Sequence, residues 1–293
     1  MVGITNQFKC ISCASQGTQW FSKGNRSFWR CQKCSFVWIS QGVVQDDLGK
    51  SIYEQENPVF LRDGNEAYYL DETNLKSATD KCIWIKKFLS SGASVLDVGA
   101  NFGHFAHVCR NQFEIRAVEI SPTTVKWALD NFSLSIKEGS IYDLTKLFNM
   151  KFSAVTCWDV IEHIDDPELG LRQMWEVLEP GGKLFISTPD MGAFLARIMG
   201  KYWHYLDITQ HIALFNRGNL SQMLERHGFE VVEFTSFGHY YRIGYIMDRL
   251  STIHANNWLR FPIRILEFGL RPFSKFIMRL QLGDVMGVVA RKL

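Results

Sequence analysis

Short, mostly apolar runs of strand length alternate with segments of helical periodicity along most of this sequence. A helix is predicted over 66–90, where apolar residues recur at helical spacing, and Gly92 ends it. The predicted elements after it are a strand at 95–98, a strand at 117–120, a helix beginning at Ser121, a strand at 134–137, a strand at 152–158, a helix at 167–178, a strand after the turn at 178–182, a helix at 218–227, and strands at 229–237 and 283–290. This alternation predicts an α/β domain built on a parallel sheet.

A glycine turn follows the first of these strands, and an acid ends the second. Gly99 and Gly103 come directly after the strand at 95–98, and Glu119 lies 22 positions after Asp97. Glycines let the backbone approach a ligand closely, and an acid in this place accepts hydrogen bonds from two ribose hydroxyls. The pattern therefore predicts a nucleoside site at the carboxyl edge of the sheet.

The spacing of the glycines discriminates between nucleoside cofactors. A dinucleotide fingerprint that begins at Gly99 needs further glycines at positions that here hold Asn101 and His104. No Walker A sequence occurs in the chain. A pyrophosphate site therefore fits this loop poorly, whereas a nucleoside without phosphate needs only the close approach.

Four segments of the sequence, in order and at regular spacing, carry a family pattern. They are Asp97-x-Gly99-x-x-x-Gly103, the strand that ends on Glu119, the run D-V-I-E-H-I-D-D-P at 159–167, and the turn and strand L-E-P-G-G-K-L-F-I at 178–186. Together they resemble the class I S-adenosylmethionine (SAM) methyltransferases over about half of the chain. The resemblance implies a Rossmann-like α/β fold, a mostly parallel sheet with an antiparallel last strand, and SAM as cofactor.

The resemblance also implies roles for ten residues. In this family the glycine turn and the acid before it hold the methionine part of SAM, and the acid of the second strand binds the ribose. Residues after the second and third strands pack on the adenine, and those after the fourth strand lie near the methionine end. The implied SAM-binding residues are Asp97, Gly99, Asn101, Gly103, Glu119, Ile120, Ser140, Ile141, Asp159 and Val160.

Two of these positions depart from the family pattern. Asn101 stands where many relatives have glycine, which requires a backbone conformation that asparagine tolerates. Related enzymes often have an acid for the adenine amino group after the third strand, where this chain has Ser140. Asp143 is the acid that would replace it.

Two histidines are candidates for a catalytic base, which methyl transfer needs when the acceptor is a hydroxyl or an acidic carbon. His163 follows the fourth strand, and His211 lies in a segment similar to the H-x-x-x-F segment of ubiquinone-type O-methyltransferases and sugar C-methyltransferases. We rank His211 first and His163 second. The alternative for either residue is a hydrogen-bonded structural histidine.

Two C-x-x-C pairs near the N-terminus predict a zinc ribbon. Cys10 and Cys13 form the first pair, and Cys31 and Cys34 form the second after 17 intervening residues. Each pair presents two thiolates from one tight turn, so that together they complete a tetrahedral zinc site. Since four thiolates leave no open position, we expect a structural Zn²⁺. A redox-active pair is the alternative.

Composition and charge narrow the picture further. The 293 residues suffice for one sizeable domain and a small one, and a net charge of +2 gives no argument for nucleic acid as a partner. No apolar run has the length of a membrane span. With seven cysteines and no apolar run typical of a secretory signal, we expect a reducing, cytoplasmic location.

The segment 240–282 has an unusual composition. It contains seven basic and two acidic residues, a net charge of +5, and apolar residues at helical spacing that Pro262 and Pro272 interrupt. We predict an amphipathic helical insertion that serves as a lid or a homodimer contact. Peripheral contact with an anionic membrane surface is the alternative.

The patterns divide the chain into a zinc ribbon (1–45), a connector with a helix (46–92) and a SAM methyltransferase domain (93–293). We expect in-line O- or C-methylation of a small molecule, a sugar or a lipid-linked intermediate, assisted by a histidine base. One alternative is an RNA methyltransferase that docks RNA through the ribbon. The other is a zinc-binding interaction protein whose SAM fold no longer catalyses.

Overall fold

The computed structural model describes residues 9–24, 26–39, 72–206, 210–252 and 270–293. In chain order, the elements are β1 (Gly17–Lys23), β2 (Arg26–Cys31), β3 (Val37–Ile39), α1 (Glu72–Ile85), β4 (Ser94–Val98), α2 (His104–Cys109), β5 (Glu114–Glu119), α3 (Pro122–Phe132), β6 (Lys137–Glu138), α4 (Leu144–Leu147), β7 (Phe152–Trp158), α5 (Pro167–Val177), β8 (Leu178–Pro189), α6 (Phe194–Met199), β9 (Ala213–Leu214), α7 (Arg217–Arg226), β10 (Phe229–Arg242), α8 (Ile243–Thr252) and β11 (Ile277–Lys292). Short 3₁₀ turns connect several of them.

A seven-stranded sheet in the order β10-β11-β8-β7-β4-β5-β6 forms the centre of the fold. The strands from β8 to β6 are parallel, and β11 runs antiparallel to both of its neighbours. The inner strands of this sheet are buried on both faces, since Val95 packs in one hydrophobic core and Leu96 in the core on the other side. The predicted Rossmann-like α/β class with an antiparallel last strand is confirmed.

Several elements have bounds that differ from the prediction. The first helix ends at Ile85 and not at residue 90, and the strand expected at 134–137 is found at Lys137–Glu138. The last two strands are longer than predicted, because β10 continues to Arg242 and β11 begins at Ile277.

The segment 240–282 is helical only in part of its described length. Its two ends are strands, paired from His239 with Leu280 to Arg242 with Ile277, and α8 follows the first of them. Aromatic residues such as Tyr240 and Tyr241 favour strands, and pairing across the hairpin satisfies the backbone there. Residues 253–269 lie outside the described ranges. Among the helices that are described, none combines the length and apolar character needed to cross a bilayer.

The N-terminal ribbon is a four-stranded sheet that includes β9, a strand distant from it in the sequence. Its order is β1-β2-β3-β9, and every pair in it is antiparallel. Phe36 of the ribbon packs edge-on against Phe215, with the ring centroids 5.1 Å apart. The ribbon is therefore docked on the α/β core through both backbone pairing and aromatic contact. The predicted boundary at 45 and most of the connector, 46–71, lie outside the described residues.

Asn216 links this ribbon to α7 through its side chain. Its Oδ1 accepts from the Asn219 N–H at 3.0 Å, and the Asn219 Oδ1 accepts from the Asn216 N–H at 2.9 Å. The Asn216 Nδ2 donates to the Cys34 carbonyl at 3.0 Å. The first two bonds form a capping box, which satisfies backbone donors at the start of the helix.

Replacing Asn216 by Ala is expected to lower the free energy of unfolding by about 1–2 kcal/mol, because a helix cap and a tether to the ribbon are both lost. Thermal or denaturant unfolding followed by circular dichroism measures the change. Asn131→Ala is the matched control, since the Asn131 amide bonds only within the exposed surface of α3. Equal stability of the two variants would contradict the assigned role of Asn216.

Candidate functional site

A cavity of about 460 Å³ opens at the carboxyl ends of β4, β5 and β7. Parallel strands end at the same edge of a sheet, so the loops that follow them meet there. The predicted cofactor residues that line this cavity are Gly99, Asn101, Glu119, Ile120, Ser140, Ile141, Asp159 and Val160. Asp97 lines a smaller adjoining cavity, whereas Gly103 lies in the wall of neither.

The glycine turn after β4 is held in a conformation that favours glycine. Gly99 has a φ of 71°, and a Cβ built there would lie 2.4 Å from Cγ2 of Val160. Both the positive φ and this contact exclude a side chain at position 99. Asn101 also has a positive φ, 51°, a region that asparagine enters more readily than most residues. The sequence departure at this position is thus accommodated by the backbone.

Glu119 holds the two loops that follow β4 and β5. One carboxylate oxygen accepts from the Asn101 N–H at 2.7 Å, and the other accepts from the Ser121 N–H at 2.9 Å. The side chain is 8% exposed, and burial raises the pKa of its carboxyl although the backbone donors oppose that rise. Each oxygen can accept a further hydrogen bond from a ligand in the cavity.

Asp97 is buried at the end of β4 with half of its carboxyl group unsatisfied. The Thr156 hydroxyl donates to Oδ1 at 2.7 Å, and Oδ2 has no hydrogen-bond partner among the described residues. Burial raises the pKa of Asp97 to about 7. Since buried polar atoms are almost always hydrogen-bonded, Oδ2 is a candidate acceptor for a donor on a ligand.

Asp159 stands between the two cavities and forms an ion pair. Lys81 of α1 lies 2.8 Å from its Oδ2, and the Ser187 hydroxyl donates to its Oδ1 at 2.9 Å. Burial disfavours the charged form of the carboxyl, but Lys81 and these hydrogen bonds hold the pKa of Asp159 below its usual range. The smaller cavity, of about 230 Å³, is lined by both members of the pair and by His239.

The wall after β6 differs in one respect from the sequence prediction. The Ser140 hydroxyl oxygen accepts from the Tyr142 N–H at 3.2 Å, and Ser140 faces the cavity. Asp143, expected to replace the missing acid, instead pairs with Lys146 at 2.6 Å and is not part of the lining. Asp165, from the loop after β7, provides an acid on that wall.

The structure brings the two predicted histidines together but gives them different surroundings. The rings of His163 and His211 are 4.7 Å apart, and only His163 lines the cavity. The Nδ1 of His163 lies 3.0 Å from the Gln210 carbonyl oxygen, so it carries the proton and leaves Nε2 as an acceptor. Burial lowers the pKa of His163 below its usual value.

His211 lies behind His163 and is 4% exposed. Its Nδ1 is 2.9 Å from the Tyr205 carbonyl oxygen, and its ring stacks on that of Tyr205. Burial, with His163 adding to it, lowers the pKa of His211 to about 3. This histidine is therefore neutral throughout the physiological range.

The four predicted metal ligands lie together in the ribbon. The Cys10 and Cys34 sulfurs are 3.6 Å apart, those of Cys13 and Cys31 are 3.4 Å apart, and all four lie within 4.8 Å of one another. Zinc–sulfur bonds of about 2.3 Å in a tetrahedron separate the sulfurs by roughly 3.8 Å. The donor set and its spacing therefore fit a closed zinc site.

Four residues near the cavities were missed by sequence reasoning. Tyr142, Asp165 and Gln210 line the larger cavity, and Lys81 reaches the smaller one from α1. The acidic pair before Pro167 was a signal for Asp165, because Asp166 caps the following helix and Asp165 is left to line the cavity. Lys81 had no local signal, since α1 contacts the sheet edge only after the chain has folded.

Comparison with known proteins identifies relatives of this chain. A model of a family described as a methyltransferase domain matches residues 73–234. The chain is 33% identical over 118 residues to a ubiquinone biosynthesis O-methyltransferase of Xanthomonas oryzae pv. oryzae (strain PXO99A). The aligned region covers 38% of this chain and 49% of that protein. The chain is 32% identical over 132 residues to the protein of the same description from Xanthomonas axonopodis pv. citri (strain 306), covering 39% and 55%. The matched region thus spans about half the length of these curated relatives.

A solved structure shows a similar fold. The structure of a SAM-dependent methyltransferase from Archaeoglobus fulgidus aligns with a TM-score of 0.52, at 18% identity, over 77% of this chain and 99% of that protein. At this identity the likeness shows the fold and carries no conclusion on substrates.

Proposed function

We propose that this chain, which belongs to the methyltransferase-domain family, transfers a methyl group from SAM to a small-molecule, sugar or lipid-linked acceptor. The observation that carries the proposal is the Glu119 carboxylate at the end of β5, which faces the cavity beside the glycine turn. An acid in this position suits the two hydroxyls of a ribose. The loop lacks the glycines of a pyrophosphate site, which favours a nucleoside without phosphate.

The remaining walls of the cavity suit the other parts of SAM. Ile120 and Ile141 offer apolar surface to the adenine, and Asp165 offers an acceptor for its amino group. The close approach of the backbone at Gly99, together with the unsatisfied Oδ2 of Asp97, suits the methionine part and its ammonium group. When bound, SAM supplies an electrophilic methyl group on a sulfonium.

Lys81 and Asp159 are proposed to prepare the methionine end of the site. Lys81 is a cation that can pair with the carboxylate in the methionine part of SAM, and its Nζ lies 2.8 Å from Asp159 Oδ2. Asp159 keeps its negative charge because its pKa is lowered, so it favours a cationic centre nearby. The smaller cavity beside this pair gives room for the acceptor.

We propose His163 as the base that takes the proton of the acceptor. Its Nδ1–H is fixed by the Gln210 carbonyl, which leaves the Nε2 lone pair available, and it lines the cavity. His211, ranked first from the sequence, packs on the His163 ring and orients it. The base is required for an O- or C-methylation and contributes typically 10²–10⁴-fold to such a rate.

The zinc ribbon is proposed to be structural. Four cysteines leave a bound Zn²⁺ no open position, and the ribbon lies against α7 through Asn216 and Phe215. The metal would thus stabilise the ribbon and its docking, and it would take no part in methyl transfer.

Replacing Glu119 by Ala is expected to weaken binding of S-adenosylhomocysteine by about 30- to 100-fold, because charge-assisted hydrogen bonds to the ribose are lost. Isothermal titration calorimetry measures the affinity. Glu138→Ala, which removes an exposed acid from β6, is the matched control and should bind as the unaltered protein does. If the unaltered protein fails to bind at millimolar ligand, the non-catalytic interpretation of the fold is favoured instead.

Replacing His163 by Ala is expected to lower kcat by about 10²–10⁴-fold. Transfer of radiolabelled methyl groups from SAM to a panel of phenolic and sugar acceptors identifies an acceptor and then measures the rate. Because burial lowers the pKa of His163, the rate should rise with pH through a value below 6.5 and stay level above it. His227→Ala, at the end of α7, is the control; full turnover by the His163 variant would exclude His163 as the base.

Replacing Cys13 by Ser is expected to remove most of the bound zinc and to lower the melting temperature, because the closed four-cysteine site loses one thiolate. Inductively coupled plasma emission of the purified protein measures the metal. Cys82→Ser, a buried cysteine outside the cluster, should retain the zinc of the unaltered protein. Zinc retained at full occupancy in the Cys13 variant would show that the metal is held elsewhere.

A further inference from the structure

A cleft of about 720 Å³ lies where the ribbon meets the α/β core, separate from the two cavities described above. We call it the basic cleft. Its walls come from the ribbon, from α6, from the start of α7 and from the loop after β8. The charged residues in its lining are Arg30, Lys33, Asp190, Arg197 and Arg217.

The basic cleft concentrates positive charge that is largely uncompensated. Its lining has a net charge of +3, whereas the whole chain has a net charge of +2. The single acid, Asp190, is 4% exposed and is already engaged: its Oδ2 accepts from Arg217 at 3.3 Å, and its Oδ1 accepts from the Gly192 N–H at 2.8 Å. Among the described residues, no carboxylate forms an ion pair with Arg30, Lys33 or Arg197.

Backbone donors add to this charge at one wall of the cleft. The ten-residue helix α7 begins there at Arg217, and its capping box already engages the N–H groups of Asn216 and Asn219. The N–H groups of Arg217 and Gly218 lie outside that box, and the first turn of a helix offers them no intrahelical acceptor. Gly218, the second residue of the helix, lines the cleft, and a Cβ built on it would meet only the Asn216 Oδ1, at 3.3 Å. An anion can therefore approach the start of this helix closely, where the helix dipole also favours it.

We propose that the basic cleft binds the phosphate or diphosphate group of a phosphorylated small molecule. Guanidinium groups match the oxygen pairs of phosphate, and three arginines and a lysine from three separate parts of the chain converge on one concave surface. The cleft has the volume of a small-ligand site. A nucleic acid backbone would instead call for a basic stripe along an extended face, which a chain with a net charge of +2 does not suggest.

The position of the cleft relates it to the proposed methyl transfer. Asp190 directly follows β8, and Ser187 of the same strand donates to Asp159, which lines both of the cavities described above. Both sites thus lie at the carboxyl edge of one sheet. On this shared edge we assign the phosphorylated ligand of the basic cleft as the acceptor of the proposed methyl transfer. This assignment of the ligand as the acceptor rests on the proposed function, whereas phosphate binding in the cleft does not.

Calorimetric titration with inorganic pyrophosphate at low salt tests the site. Arg197→Glu should weaken pyrophosphate binding at least about tenfold, because a charge-assisted contact is replaced by repulsion. Lys201→Glu is the matched control: it makes the same change of charge four residues further on, at an exposed position outside the cleft where Lys201 lies over the Tyr202 ring at 5.3 Å. This control should bind within a factor of two of the unaltered protein. Circular dichroism confirms that both variants are folded.

Three results would overturn the proposal. They are an absence of pyrophosphate binding at millimolar concentration, an equal loss of affinity in both variants, and binding of a single-stranded RNA oligonucleotide without binding of pyrophosphate. A parallel titration with S-adenosylhomocysteine separates this proposal from the proposed function. The Arg197 variant should bind it as the unaltered protein does, and pyrophosphate binding without any S-adenosylhomocysteine binding would sustain the cleft while removing the methyltransferase assignment.

Discussion

One buried carboxylate, that of Glu119, ties together the loops on which the candidate site depends. It accepts the Asn101 N–H from the loop after β4 and the Ser121 N–H from the loop after β5. Both donors would otherwise be unsatisfied at the edge of the sheet, where an unpaired buried N–H is costly. The glycine turn therefore keeps its left-handed conformation at Asn101, and the cavity between the two loops stays open to a ligand.

The docking of the ribbon against α7 is a second constraint on this end of the molecule. Pairing of β3 with β9 and the hydrogen bonds from Asn216 and Asn219 to the Cys34 carbonyl fix the ribbon against α7. The second cysteine knuckle then stands opposite the start of that helix, which creates the basic cleft. The proposed phosphate site therefore depends on the docking of the ribbon, which brings Arg30 and Lys33 to the cleft.

The predictable part of the site lies within single loops. Gly99 and Glu119 were identified because their chemistry is fixed by the strand that each one ends, and the four cysteines because their ligand spacing is local. Asp143 was wrongly expected in the cavity wall, since three residues along a 3₁₀ turn were enough to direct it toward Lys146. The ends of 240–282 were wrongly assigned to helix because apolar spacing there fits either structure until the hairpin pairs.

The sequence by itself determined the α/β class, the residues that line the cavity at the sheet edge and the four-cysteine cluster of the ribbon, because each depends on residues close together in the chain. Only the tertiary structure decided which histidine faces the cavity. His163 and His211 are 48 positions apart in the sequence, and folding brings their rings into contact with His163 on the cavity side. It also brought Lys81 to Asp159 and assembled the basic cleft. Such contacts join residues from distant elements, and their geometry is set by how those elements pack and not by any local pattern.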